Sequence, residues 1–158
     1  MEDRAHLRIY LSERIALMHA AMRLARRMRG APGEPGMGPL RDEALDALAD
    51  DAATLTSFLR QVGAMPPRLR IAGAVVGERL GRLKLNGRLT GRSPLSGLQE
   101  LDGMLALLDL AAGAWAAIDD AAVAAREVVG GREERLRDLA ARMAVYRRGR
   151  AVEALSAA

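Results

Sequence analysis

The chain has 158 residues, half of them apolar and over a quarter charged, a balance that fits one folded domain rather than a disordered tail. It contains no cysteine, which excludes a disulfide framework, a thiolate metal site and a cysteine nucleophile. Tyr10, Phe58, Trp115 and Tyr146 are its whole aromatic set, while Ala, Leu, Arg and Met dominate, so helix is expected nearly throughout.

A first helix is expected over 5–29. Tyr10, Leu17, Ala21, Leu24 and Met28, flanked by Leu7, Leu11, Met18 and Ala25, recur at helical spacing. The glycines and prolines of 30–38 stop it. A second helix, over 39–63, opens on Pro39, a residue suited to a first turn. Its inward face is read as Ala44, Leu48, Leu55, Phe58, Leu59 and Val62. Pro66-Pro67 begins a different segment, 64–93, in which Gly73, Gly77 and Gly81 recur every four residues and Asn86-Gly87 marks a loop.

Ser93-Pro94 caps the third helix, 94–117, with Leu98, Leu101, Leu105, Leu108, Ala112 and Trp115 inward. Asp119-Asp120 reads as a fresh helix start, because carboxylates favour a first turn. Gly130-Gly131 breaks the chain, and a last helix follows over 132–155, with Leu136, Leu139, Ala140, Met143 and Tyr146 inward. Charges in the first eight residues leave no apolar signal core, and the apolar run 103–118 is short and interrupted by Asp109. The expectation is a cytoplasmic protein without a transmembrane segment.

Of 24 basic residues, Lys84 alone is lysine. Residues 4–30 carry seven Arg against Glu13, and 64–93 carry seven basic groups against Glu78, whereas 39–63 and 94–118 are each net −3. Basic and acidic segments of this kind attract one another when packed side by side, although exposed pairs are worth only ~0–1 kcal/mol each.

Four stretches of 24–25 residues would each span about 36 Å at ~1.5 Å per residue, and matched lengths favour side-by-side packing. A short first loop and a connection of about 30 residues between helices two and three give an all-α four-helix bundle, ferritin-like, with one long crossover, in a single domain over 1–158. An up-down bundle with an irregular insertion is the rival.

Leu85-Asn86-Gly87-Arg88-Leu89, Arg92-Ser93-Pro94-Leu95-Ser96, Gln99-Glu100-Leu101-Asp102 and Trp115 resemble a group of uncharacterised, Arg-rich bacterial proteins associated with ferritin-like helical bundles. The resemblance covers residues 10–117, is distinctive over 85–102, and implies the fold but no activity. The chain departs from that group at Arg14, where a His is expected, and in helix two, where a Glu-rich stretch is reduced to Asp50 and Asp51.

Ferritin-like di-metal centres draw on Glu-x-x-His pairs, whose i, i+3 members share a helix face. Here His6 and His19 are the whole histidine set and neither follows a Glu by three. No metal or other cofactor is therefore expected. Instead, Arg14 falls within the stripe of helix one, Asp51 between Leu48 and Leu55, and Asp109 beside Leu105, Leu108 and Ala112. These three are expected to form an internal ion cluster that sets register. Gly73 to Gly77 lacks the Lys-Ser/Thr of a phosphate loop, Ser93 and Ser96 read as caps rather than nucleophiles, and Met18, Met22, Met28 and Met143 read as core.

Arg68, Arg70, Arg79, Arg82, Lys84, Arg88 and Arg92 form a candidate anion-binding patch for nucleic-acid phosphates or an anionic membrane. It lacks the aromatic residues that stack on bases, so an internally neutralised connector is the plainer reading. The function expected is that of a non-enzymatic interaction bundle acting through an unidentified protein partner or a second copy of itself. The rivals are metal handling through Glu13, Asp50, Asp51, Glu100 or Asp102, and electrostatic binding through the basic segment.

Overall fold

A computed structural model describes residues 2–29, 36–64, 94–121 and 126–156. They form an all-α structure: α1 Glu2–Met28, α2 Met37–Gln61, α3 Pro94–Asp120, the single turn α4 Arg126–Val129, and α5 Arg132–Ser156. Among the described residues there is no strand.

The four long helices pack in the cyclic order α1, α2, α5, α3. Side-chain contacts give their directions. Arg29 at the end of α1 meets Asp42 near the start of α2, while Arg8 donates from its Nε to the Val62 carbonyl at the other end, 2.9 Å away. Arg27 of α1 reaches Glu100 in the second turn of α3. Arg142 of α5 reaches Glu43 of α2, and Arg147 reaches Asp102 of α3. Every neighbouring pair is therefore antiparallel, and the diagonal pairs, α1 with α5 and α2 with α3, run parallel. The end of α2 and the start of α3 lie at opposite ends of α1.

Local signals explain the boundaries. Pro39 stands in the first turn of α2, where its missing N–H has no helical partner to lose. Gly36 precedes that helix at φ 92, and Gly63 follows it at φ 77, backbone angles that a Cβ disfavours. Gly131, at φ 74, separates α4 from α5. The expected helix start at Asp119-Asp120 is not realised: α3 runs through both and ends there. These aspartates stand at the C-terminal pole, where the helix dipole gives a carboxylate no help.

The core is one cluster drawn from all four long helices, centred on Leu11, Ile15, Met18, Leu48, Leu55, Leu59, Met104, Leu108, Trp115, Leu136 and Leu139. Each such side chain contributes about 1.5–3 kcal/mol by leaving water, several times the value of an exposed ion pair. Packing therefore holds the fold and the arginine pairs orient it. Of the stripe expected on α1, Leu11, Met18, Ala21, Leu24, Ala25 and Met28 are buried, joined by Ile15 and Met22, while Leu7, Tyr10 and Leu17 are only partly buried. Phe58, Leu105, Ala140 and Tyr146 likewise sit at the margin of the core.

Helix α3 is longer than the 103–118 apolar run, and it is long and apolar enough to cross a membrane by length and composition. Its Leu101, Met104, Leu108, Ala111, Ala112, Trp115 and Ile118 are nonetheless buried within the bundle.

Candidate functional site

The charged centre of the molecule lies where α2 faces the start of α5. Asp51 occupies an inward position on α2, one turn after Leu48 and one turn before Leu55, and none of its surface is exposed. An isolated carboxylate there would be prohibitively costly. Two arginines from the first turn of α5 supply the compensation: Arg132 Nη1 lies 2.5 Å and Arg135 Nη2 2.7 Å from Asp51 Oδ1. Arg132 Nη1 also donates to Asp50 Oδ2 at 2.6 Å, and Arg132 Nε donates to the Val128 carbonyl of α4 at 2.8 Å. Trp115 of α3, 1 % exposed, closes the inner side, with the Arg132 guanidinium 5.1 Å from its ring centre.

Burial pushes the Asp51 carboxyl above the usual aspartate range, while Arg132, Trp115 and Arg135 pull it back. The Trp115 indole acts on the carboxylate by proximity, although neither Trp115 Nε1 nor Asp51 Oδ2 completes a hydrogen bond of good geometry. Asp50, exposed on the outer side, is held below the usual range by its hydrogen bond to Arg132. Two carboxylates and two guanidiniums thus make a neutral cluster, closed inward by an indole and reaching solvent through Asp50 and Arg135.

The expected partners of Asp51 are different from those found. Arg14 is half-buried and stacks on Tyr10, 4.8 Å from the ring centre, and its Nε makes no hydrogen bond among the described residues. Asp109 is exposed on the outer face of α3, 100° around the helix from buried Leu108. The Arg14–Asp51–Asp109 cluster is therefore corrected to Asp51–Arg132–Arg135–Asp50. Only the burial of Asp51 was readable from its place between two core leucines. Arg132 and Arg135 precede Leu136, the first buried residue of α5, and in sequence they look like a solvated first turn.

No family model, curated protein or solved structure matches the chain. The carboxylates weighed as unconventional metal ligands are dispersed and occupied by cations: Asp50 and Asp51 by Arg132 and Arg135, Glu100 by Arg27, Asp102 by Arg147. Glu13 is exposed on α1. Among the described residues no three His, Cys, Asp or Glu side chains come together as a metal site would require. His6 is exposed, and His19 is half-buried, its pKa lowered by burial and by Arg23 and Arg26.

A cleft of about 490 Å³ opens between the end of α3 and the start of α5, bordered by Asp119, Gly130, Glu133, Glu134 and Arg137. Arg137 pairs with Glu133 across one helical turn. Among the described residues that border this cleft there is no buried nucleophile or base. Ser96 is buried in the first turn of α3, away from both histidines of α1 in sequence and without a triad-like context. The basic residues Arg68, Arg70, Arg79, Arg82, Lys84, Arg88 and Arg92, with the 85–93 part of the resemblance, lie outside the described residues.

Proposed function

We propose that this chain is a non-enzymatic helical bundle of ferritin-like topology that works through protein contacts. The observation that carries the proposal is the state of Asp51. It is the buried carboxylate at mid-bundle, and both of its cationic partners come from the protein itself, so its charge is satisfied without a metal. The all-antiparallel neighbours and the parallel diagonal pair α2 and α3 support ferritin-like connectivity, since that fold has one long crossover between two hairpins. The proposal places the protein in the cytoplasm, with the apolar length of α3 accounted for by its share in the core.

Native mass spectrometry on protein purified without chelator tests this reading. The expected spectrum contains only whole multiples of the 16.9 kDa chain mass. A reproducible excess of one or two metal ions per chain would overturn it and restore the metal-handling alternative.

A further inference from the structure

The arginines that neutralise Asp51 use only half of its carboxylate. Both guanidiniums donate to Oδ1, Arg132 through Nη1 and Arg135 through Nη2. Oδ2 is buried and accepts no hydrogen bond among the described residues, and two buried donors, Trp115 Nε1 and Arg135 Nε, are likewise unpaired. These atoms surround one carboxylate. Oδ2 shares its carbon with Oδ1, and Arg135 Nε shares its guanidinium carbon with the Nη2 that lies 2.7 Å from Oδ1. The Trp115 indole is close enough to pull on the Asp51 charge, and its ring carries the Arg132 guanidinium at 5.1 Å. Asp51 and Trp115 are 0 % and 1 % exposed, so bulk solvent does not satisfy them. Buried polar atoms left this way are rare in folded proteins, and a group of them around one charge calls for a bound partner.

The chemistry of these atoms selects that partner. A metal ion needs lone pairs, and the indole and the guanidinium present N–H groups instead. An anion would meet the negative charge of Asp51 itself. A direct bond from the indole to Oδ2 lacks the geometry of a hydrogen bond and would leave Arg135 Nε unpaired. What fits is a small neutral molecule that accepts two N–H bonds and donates an O–H bond. We propose that one internal water molecule is held here, accepting from Trp115 Nε1 and Arg135 Nε and donating to Asp51 Oδ2. A buried water typically makes about three hydrogen bonds, is part of the fold and is costly to remove. This one joins α3, through its indole, to the ion cluster of α2 and α5. The inference rests on the reading in which Asp51 is held by arginines without a metal, and it names what completes the site.

Trp115 is the sole tryptophan, so the indole N–H of isotope-labelled wild-type protein gives one assignable NMR signal. In a rotating-frame Overhauser spectrum, a long-lived water beside it is expected to give a cross-peak at the water frequency, opposite in sign to the diagonal. No cross-peak, or one of the same sign as the diagonal from proton exchange with solvent, would overturn the proposal. A crystal structure that shows ordered water checks the partners. An oxygen about 2.5–3.2 Å from Trp115 Nε1, Arg135 Nε and Asp51 Oδ2 is expected. Direct contact of the indole nitrogen with Oδ2, and no water beside them, would overturn the water while leaving Asp51 free of metal. Density about 2.0–2.2 Å from Oδ2 would instead be a metal ion and would overturn the broader reading as well.

Discussion

Asp51 and Arg135, 84 positions apart in the chain, meet at 2.7 Å where α2 faces the first turn of α5. With Arg132 on the same carboxylate oxygen, this contact ties the second helix to the last at mid-bundle. A buried ion pair need not outperform an apolar core, but removing one partner leaves uncompensated charge. Asp51→Ala should therefore destabilise the fold by about 3 kcal/mol, the lower end of the usual cost, because Arg132 and Arg135 can still reach solvent. Arg14→Ala should cost only about 1 kcal/mol, the value of its contact with Tyr10. Urea denaturation of the two variants checks the order, and equal losses would contradict this assignment.

Gly36 and Tyr146 set a second, independent test further along α5. Gly36 has φ 92, and a Cβ added there would run into the Tyr146 hydroxyl, with the ring carbon behind it at 3.5 Å. Gly36→Ala should cost about 1–2 kcal/mol from the left-handed backbone alone, with the clash added. In a Tyr146→Phe background the clash is removed and the cost of Gly36→Ala should shrink. Thermal denaturation of the four proteins measures that coupling, and simple additivity would show that the hydroxyl is not the obstacle.

The local punctuation of the fold was legible in the chain, because it depends on neighbouring residues. Pro39, Gly63, Pro94 and Gly131 each mark a boundary through backbone geometry that needs no tertiary context. Asp51 was legible as an inward residue from Leu48 and Leu55. Its partners were not, because nothing in a single sequence states which turn of α5 lies opposite which turn of α2. Height along an idealised bundle brings Arg14 and Asp109 level with Asp51 but says nothing of which way each side chain faces. Ile15 rather than Arg14 points to the centre of the bundle, so Arg14 stays at the margin beside Tyr10, its neighbour one turn earlier on the same helix, and Asp109 faces outward for want of one helical step.

Acid should act on the outer arginine pairs before it reaches the core. Asp42, Glu43 and Asp50 all sit below their ordinary values of 3.8, 4.5 and 3.8, chiefly through hydrogen bonds from Arg41, Arg142 and Arg132 respectively. A lowered native pKa means that the unfolded chain binds the proton more tightly. Their contribution is therefore present above those ordinary values and is lost as pH falls through the lowered ones. Asp51 has the opposite sign: its raised pKa favours the native state as pH falls toward 3.8. The urea midpoint should fall as pH is lowered below 4.5, and Asp51→Asn, which removes the opposing contribution, should fall more steeply. A shallower fall in Asp51→Asn would reverse the sign assigned to Asp51.

His19 gives a probe in a different pH range. Its native pKa lies below 6.5 because of burial and of Arg23 and Arg26, so the unfolded chain takes up its proton first. Stability linked to His19 is present above pH 6.5 and is lost as pH falls through its lowered value. Proton NMR should place the imidazole midpoint below 6.5, and Arg26→Gln should move it upward. A midpoint at or above 6.5 would mean that the ring lies free of both arginines.

The proposal stands or falls on Asp51, the buried carboxylate among the described residues, being held by Arg132 and Arg135 in place of a metal. Thermal denaturation in the presence of Mn²⁺, Fe²⁺ or Zn²⁺ tests it most directly, since any ion that binds the native state alone must raise the midpoint. The account predicts an unchanged midpoint up to millimolar metal, in the wild type and in Asp51→Asn alike. A saturable rise that is present in the wild type and abolished by Asp51→Asn would contradict it.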